Sequence, residues 1–210
     1  MLNYIDKKRN NNKAFTLVEA LVAISILMIA IAGPMTLAQK GLSTASLSKD
    51  QMIASFLAQD GIEAVKNIRD QIAIRYHVSE DDWLDNTLLG NCMCNPLTEN
   101  CDFDSPTVPS NLKFCTIDTT GTWTSESIKA GTLDDTKLKI SSADDGSFVK
   151  YDYSLSGASK FSRYINIKKT GNLNGNEAVV NVRVSWGSAS SVTNQKIDIQ
   201  DFIYNYSENL

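Results

Sequence analysis

From Phe15 to about Ala38 the chain is almost wholly apolar, and Glu19 is the one charged side chain between Lys13 and Lys40. A helix needs about 20 apolar residues to cross a bilayer, and this run supplies them. Over residues 41–75 the pattern narrows to a stripe. Ile53, Phe56, Leu57, Ala64, Ile68 and Ile72 recur at spacings near 3.6, with charged side chains mostly elsewhere, as on an amphipathic helix. No proline falls between Pro34 and Pro96, so one helix is expected from Phe15 to about Ile74, roughly 90 Å long at about 1.5 Å per residue. Residues 76–147 show little periodicity. From 148 to the end the pattern alternates in stretches at 148–153, 161–167, 178–186 and 197–204, separated by glycine-, serine- and asparagine-rich turns. Those stretches predict an antiparallel meander. Its face of Val180, Val182, Val184 and Trp186 is apolar enough to meet the helix stripe. The expected class is α+β, a long N-terminal helix on a C-terminal antiparallel sheet.

Charge refines this picture. Residues 1–14 carry Lys7, Lys8, Arg9 and Lys13 against Asp6, a net of +3, which leaves −7 on residues 15–210 out of a total of −4. Basic residues ahead of an apolar run place the N-terminus in the cytoplasm and the C-terminal residues outside. An acidic outer part offers no electrostatic footprint for nucleic acid. Apolar content of 42% excludes a disordered chain.

The block Lys13-Ala14-Phe15-Thr16-Leu17-Val18-Glu19, behind a basic leader and ahead of the apolar run, resembles the class III signal of type IV pilins and pseudopilins. The resemblance implies that residues 1–14 are a cytoplasmic leader, cut by a prepilin peptidase between Ala14 and Phe15. Phe15 would then be N-methylated, and residues 15–40 would stay as a transmembrane and assembly helix. Ala14 departs from the glycine that the family usually has before the cut. Alanine is the next smallest side chain, and less efficient cleavage is expected. Two plainer readings compete. Ala30-Ile31-Ala32 before Gly33 resembles a secretory cleavage site, although Glu19 would interrupt that signal's apolar core. A simple signal anchor would merely tolerate Glu19.

An acid inside an apolar span costs about 2.5–3.5 kcal/mol on insertion scales, so Glu19 is a functional candidate on physical grounds alone. Cleavage would create an amine at Phe15, one turn away at the i to i+4 spacing where helical side chains meet. Pairing offsets part of the cost of holding either charge near lipid. The resemblance implies that this glutamate pairs with the amine of a neighbouring subunit and sets assembly register; a secondary hydrogen bond from Thr16 is expected there. Gly33-Pro34 removes one backbone hydrogen bond and adds backbone freedom, so a helix break is expected there. In pilins the helix loosens at a similar depth inside filaments. Residues 56–64 are also similar to the helix of minor pilins.

Cys92, Cys94, Cys101 and Cys115 lie close together in the exported part, which favours disulfides. A one-residue gap suits zinc poorly, and a bond between Cys92 and Cys94 would close a strained ring. Two arrangements remain: a crossed set, 92–101 with 94–115, and a slightly preferred nested set, 94–101 with 92–115. His77 is the only histidine and receives no role. Glu80-Asp81-Asp82 reads as a solvated turn, and Asn172, Asn174 and Asn176 as a hairpin turn, since the aspartates and distant glutamate of a calcium loop are missing.

No phosphate loop, dinucleotide fingerprint or nucleophilic triad is present, and no cofactor or metal is implied. The chain reads as a substrate of an enzyme, not as an enzyme. The expected function is a structural subunit, a minor pilin, of a type IV pilus-like filament. Its expected partners are the prepilin peptidase, other pilin subunits and the assembly platform in the membrane. A type II secretion pseudopilin is the alternative within the superfamily. A signal-anchored surface domain that never polymerises is the alternative outside it.

Overall fold

The structure, a computed structural model, describes residues 16–76, 83–84, 89–94, 101, 103, 113–119, 128–131, 136–141, 149–170, 176–187 and 195–205, with helix side chains described as far as 74. Among the described residues one helix, α1 (Leu17–Tyr76), precedes seven strands. These are β1 (Cys115–Ile117), β2 (Ile128–Ala130), β3 (Lys137–Ile140), β4 (Tyr151–Asp152), β5 (Gly157–Lys169), β6 (Glu177–Trp186) and β7 (Gln195–Tyr204). The chain divides into two compact units, Met1–Lys49 and Asp50–Leu210. The first contains the apolar start of α1, and the second contains the rest of α1 with the sheet.

In the second unit β5 is the axis of the sheet. One edge pairs with β6 over nine positions from Phe161↔Trp186 to Lys169↔Ala178, and β6 pairs in turn with β7. These three strands are the expected meander, held in register by the alternation of apolar and polar side chains. The other edge of β5 is shared: β3 pairs over 157–162, β1 meets Ile165, and Met93 bridges Ile167. Strands β1 to β3 lie inside the stretch that showed little periodicity. With three or four residues each, they are too short to display a period of two. The strand expected over 148–153 amounts to Tyr151–Asp152 among the described residues.

Helix and sheet share one core. Ala54, Leu57, Ala58, Ile62, Val65, Ile68 and Ile72 are buried with Ile165, Ile167, Val180, Val182, Val184 and Trp186. The helix face differs from the expected stripe at Phe56, which is 64% exposed. Ala54 and Ala58 hold the centre of the face, and small residues there let the backbone approach the strands. Gly61 carries this furthest, since a Cβ at that position would stand 3.1 Å from Val182 Cγ1 and 3.4 Å from Ile165 Cδ1.

A buried cation lies in this core. Arg163 on β5 is wholly inaccessible, and its Nη1 donates to the Leu57 carbonyl (3.2 Å) and to Asp60 Oδ2 (2.6 Å) of α1. Its Nη2 donates to the Ile117 carbonyl of β1 (2.8 Å). The Tyr153 hydroxyl donates to the Arg163 carbonyl (3.0 Å), and burial raises its pKa above the usual phenol range, keeping it neutral. Farther along α1, Lys66 pairs with Asp201 of β7, both about 40% exposed. The hydrogen bond from Lys66 lowers the Asp201 pKa, partial burial opposes it, and the Phe202 amide adds to the lowering.

Removing the Arg163 charge strands an acceptor carbonyl on β1 and leaves Asp60 unpaired. Arg163→Met is therefore expected to lower unfolding stability by about 2–4 kcal/mol, read by urea denaturation of the detergent-solubilised chain. Asp201 has a folded pKa below its unfolded value, so its contribution is present above about pH 4 and lost as pH falls through the folded value. Solvent screening holds that contribution under about 1 kcal/mol. Asp201→Asn is expected to match this loss, so its stability deficit shrinks as pH falls from about 4 through the folded value. A deficit that stays constant over that range would exclude the ion pair as its source.

Candidate functional site

The chemistry expected from the sequence is concentrated at the start of α1. Thr16 is the last residue before the helix, and its Oγ1 accepts a hydrogen bond from the Glu19 amide at 3.3 Å. Its carbonyl accepts from the Ala20 amide at 3.2 Å. Threonine before the helix and glutamate three residues later is the spacing of a capping box, in which the cap satisfies amides that have no intrahelical partner. Within the chain the Thr16 hydroxyl oxygen thus serves the Glu19 backbone. The Thr-Leu-Val-Glu spacing carried that signal. The Glu19 carboxylate makes no hydrogen bond or ion pair among the described residues.

Behind the cap the helix is exposed on every side. Leu17, Leu21, Ile24, Leu27, Ile31 and Met35 are each at least half exposed, although an amphipathic surface helix would bury one face. The helix is long and apolar enough to cross a membrane, and none of its most apolar window is buried. Its polar side chains turn back on their own backbone. The Ser25 hydroxyl donates to the Leu21 carbonyl and the Thr36 hydroxyl to the Gly33 carbonyl, each at 2.8 Å. A medium that cannot hydrogen-bond favours this arrangement, since it satisfies the donors internally.

Gly33 and Pro34 do not interrupt the helix, which continues through them as α-helix. The expected break is reduced to one missing hydrogen bond, because Pro34 has no amide to offer the Ala30 carbonyl. A side chain on Gly33 would meet nothing within 4 Å, so no packing within the chain requires glycine there.

The cysteines form a separate cluster on the sheet. Cys92 is bonded to Cys115 and Cys94 to Cys101, the nested arrangement, with Cα separations of 4.7 and 5.7 Å. The one-residue gap follows from a strand-like contact: Cys94 N–H donates to the Ile167 carbonyl, and Ile167 N–H donates to the Cys92 carbonyl. Met93 thus lies against the edge of β5, and the disulfides hold that edge covered. Among the described residues no group of three or more His, Cys, Asp or Glu is placed to hold a metal ion. Ala14, Phe15, His77, Glu80, Asp81, Asp82, Asn172 and Asn174 lie outside the described residues.

The structure brings Thr16 and Glu19 together and pairs the cysteines on the sheet. Sequence reasoning passed over Arg163 and Asn181, two buried polar residues on strands. Arg163 gave one signal, a cation among apolar positions of an alternating stretch. Asn181 gave none, because an amide between Val180 and Val182 is the ordinary polar position of an alternating strand.

No curated protein and no solved structure matches the chain. Residues 9–33 match a family model described as the prokaryotic N-terminal methylation motif. That motif, followed by the long apolar helix, fits a type IV pilin-like protein.

Proposed function

We propose that the chain is a minor pilin, a structural subunit of a type IV pilus-like filament. One observation carries the reading: the methylation motif at residues 9–33 opens a helix whose stretch up to Gln39 is exposed and mostly apolar, with Glu19 as the only acid of that stretch. The prepilin peptidase cuts between Ala14 and Phe15, and Phe15 is methylated on its new amine. The helix then holds the chain in the cytoplasmic membrane with its N-terminus inside, until the assembly platform moves it into an extracellular filament.

Burial supports this role for the helix. A helical stretch with no covered face among the described residues of its own chain gains by meeting copies of itself, where side-chain packing replaces lipid contacts. Glu19 then gives register. Its carboxylate lacks a partner in the described chain, and the amine of a neighbouring subunit supplies a counter-charge. The N–H that Pro34 lacks leaves a point where α1 lengthens at little cost during extraction. A minor subunit is favoured over a major one by the long disulfide-stapled stretch at 76–147, which suits a specialised outer domain.

Mass spectrometry of the mature N-terminus is expected to find methyl-phenylalanine at Phe15. An intact Met1 would support a signal anchor instead, and a chain starting at Gly33 a secreted protein. Glu19→Leu is expected to be cut and membrane-held yet depleted at least about tenfold from filaments sheared off cells, because the unmatched amine disfavours docking. Recovery of that variant in filaments at normal levels would sink the assembly role. Wild-type chain recovered only with a secretion complex in the envelope would favour the pseudopilin.

A further inference from the structure

On the sheet face turned away from α1, a cleft of about 100 Å³ opens between β5, β6 and β7, beside Phe103. Register places Asn181 between Asn166 of β5 and Gln200 of β7, with Lys168 and Phe202 on either side of Val179 in the next row. The floor holds an unmet acceptor. Asn166 Nδ2 donates to the Cys101 carbonyl (3.0 Å), so its Oδ1 faces Asn181 and accepts from Asn181 Nδ2 (2.9 Å). This chain of bonds fixes the Asn181 amide, whose Oδ1 is buried and has no hydrogen-bond partner among the described residues. Asn181 is only 8% exposed, so an occupant that donates a hydrogen bond is strongly favoured.

The surroundings narrow the chemistry. An anion without an O–H group cannot donate to Asn181 Oδ1. A cation is opposed by Lys168, which makes no ion pair among the described residues, and gains little from Asp198, already held by both Arg183 Nε and Nη2. A neutral hydroxyl fits, because it donates to Asn181 and accepts from Gln200 or Lys168. Beside this polar floor, two residues from Gln200 on the same face, the Phe202 side chain is 51% exposed, and Tyr204 follows at 46%. Successive side chains on one face of a strand stand about 7 Å apart, so Gln200, Phe202 and Tyr204 form a line longer than one sugar ring. An apolar platform with a few fixed polar groups is the general makeup of a small-molecule site.

We infer that this cleft and the adjoining Phe202 ring bind a saccharide, with a sugar hydroxyl donating to Asn181 Oδ1 and the C–H face of its ring lying on Phe202. The site belongs to the outer unit and does not depend on processing or assembly of the N-terminal helix. The test uses the full chain in lauryldimethylamine oxide, a detergent without sugar, applied to a printed array of hexose, N-acetylhexosamine and uronate oligosaccharides. The strongest glycan is then titrated by calorimetry. Retention of at least one glycan class is expected, with Phe202→Ala and Gln200→Ala each weakening binding about tenfold or more. Both side chains are exposed, so the unfolding midpoint is expected to stay unchanged. No retained glycan, or two variants that bind as the parent does, would overturn the site and leave a cleft that holds water only.

Discussion

The outer unit depends on one buried charge. Taking a guanidinium out of water costs several kcal/mol, and Arg163 is fully enclosed. That cost is offset by groups that accept hydrogen bonds from the two terminal nitrogens, while the buried Nε has no partner among the described residues. The Leu57 carbonyl, the Asp60 carboxylate and the Ile117 carbonyl are those acceptors and come from two different elements. The residue therefore fixes how α1 lies on β5 and where β1 attaches, a specificity that apolar contacts alone would not supply. Gly61 belongs to the same arrangement, because its missing side chain lets the helix come close enough for the guanidinium to reach both sides.

Helix α1 meets two different environments along its length. Up to Lys49 it has no partner among the described residues of its unit, and its few hydroxyls bond back to their own turns. From Asp50 it becomes an ordinary core helix with small residues toward the strands and charges at the margin, such as Lys66 with Asp201 and Asp50 with Lys160. Secondary structure is continuous across the boundary because helix formation needs only local hydrogen bonds. The switch lies in which side chains find something to pack against.

The disulfide region shows why composition understates structure. Residues 76–147 have little alternation, yet Cys92, Met93 and Cys94 follow the edge of β5, and β1 meets the same strand at Ile165. Such contacts are contributed one or two residues at a time. They are held by covalent bonds and by a strand distant in sequence, so no window of the local sequence contains them.

The sequence by itself determined whatever depends on neighbours a few residues apart. The methylation motif, the apolar span with its single acid, the amphipathic continuation and the three long strands all follow from spacing, because helix turns and strand pleats repeat at fixed periods. Tertiary structure decided the rest. It selected the nested cysteine pairing from two that spacing left open and moved Phe56 out of the core in favour of Ala54 and Ala58. It also enclosed Arg163 and left Asn181 with an unmet acceptor. Each of these outcomes turns on groups brought together from distant parts of the chain, where distance and burial, not order in sequence, set the energy.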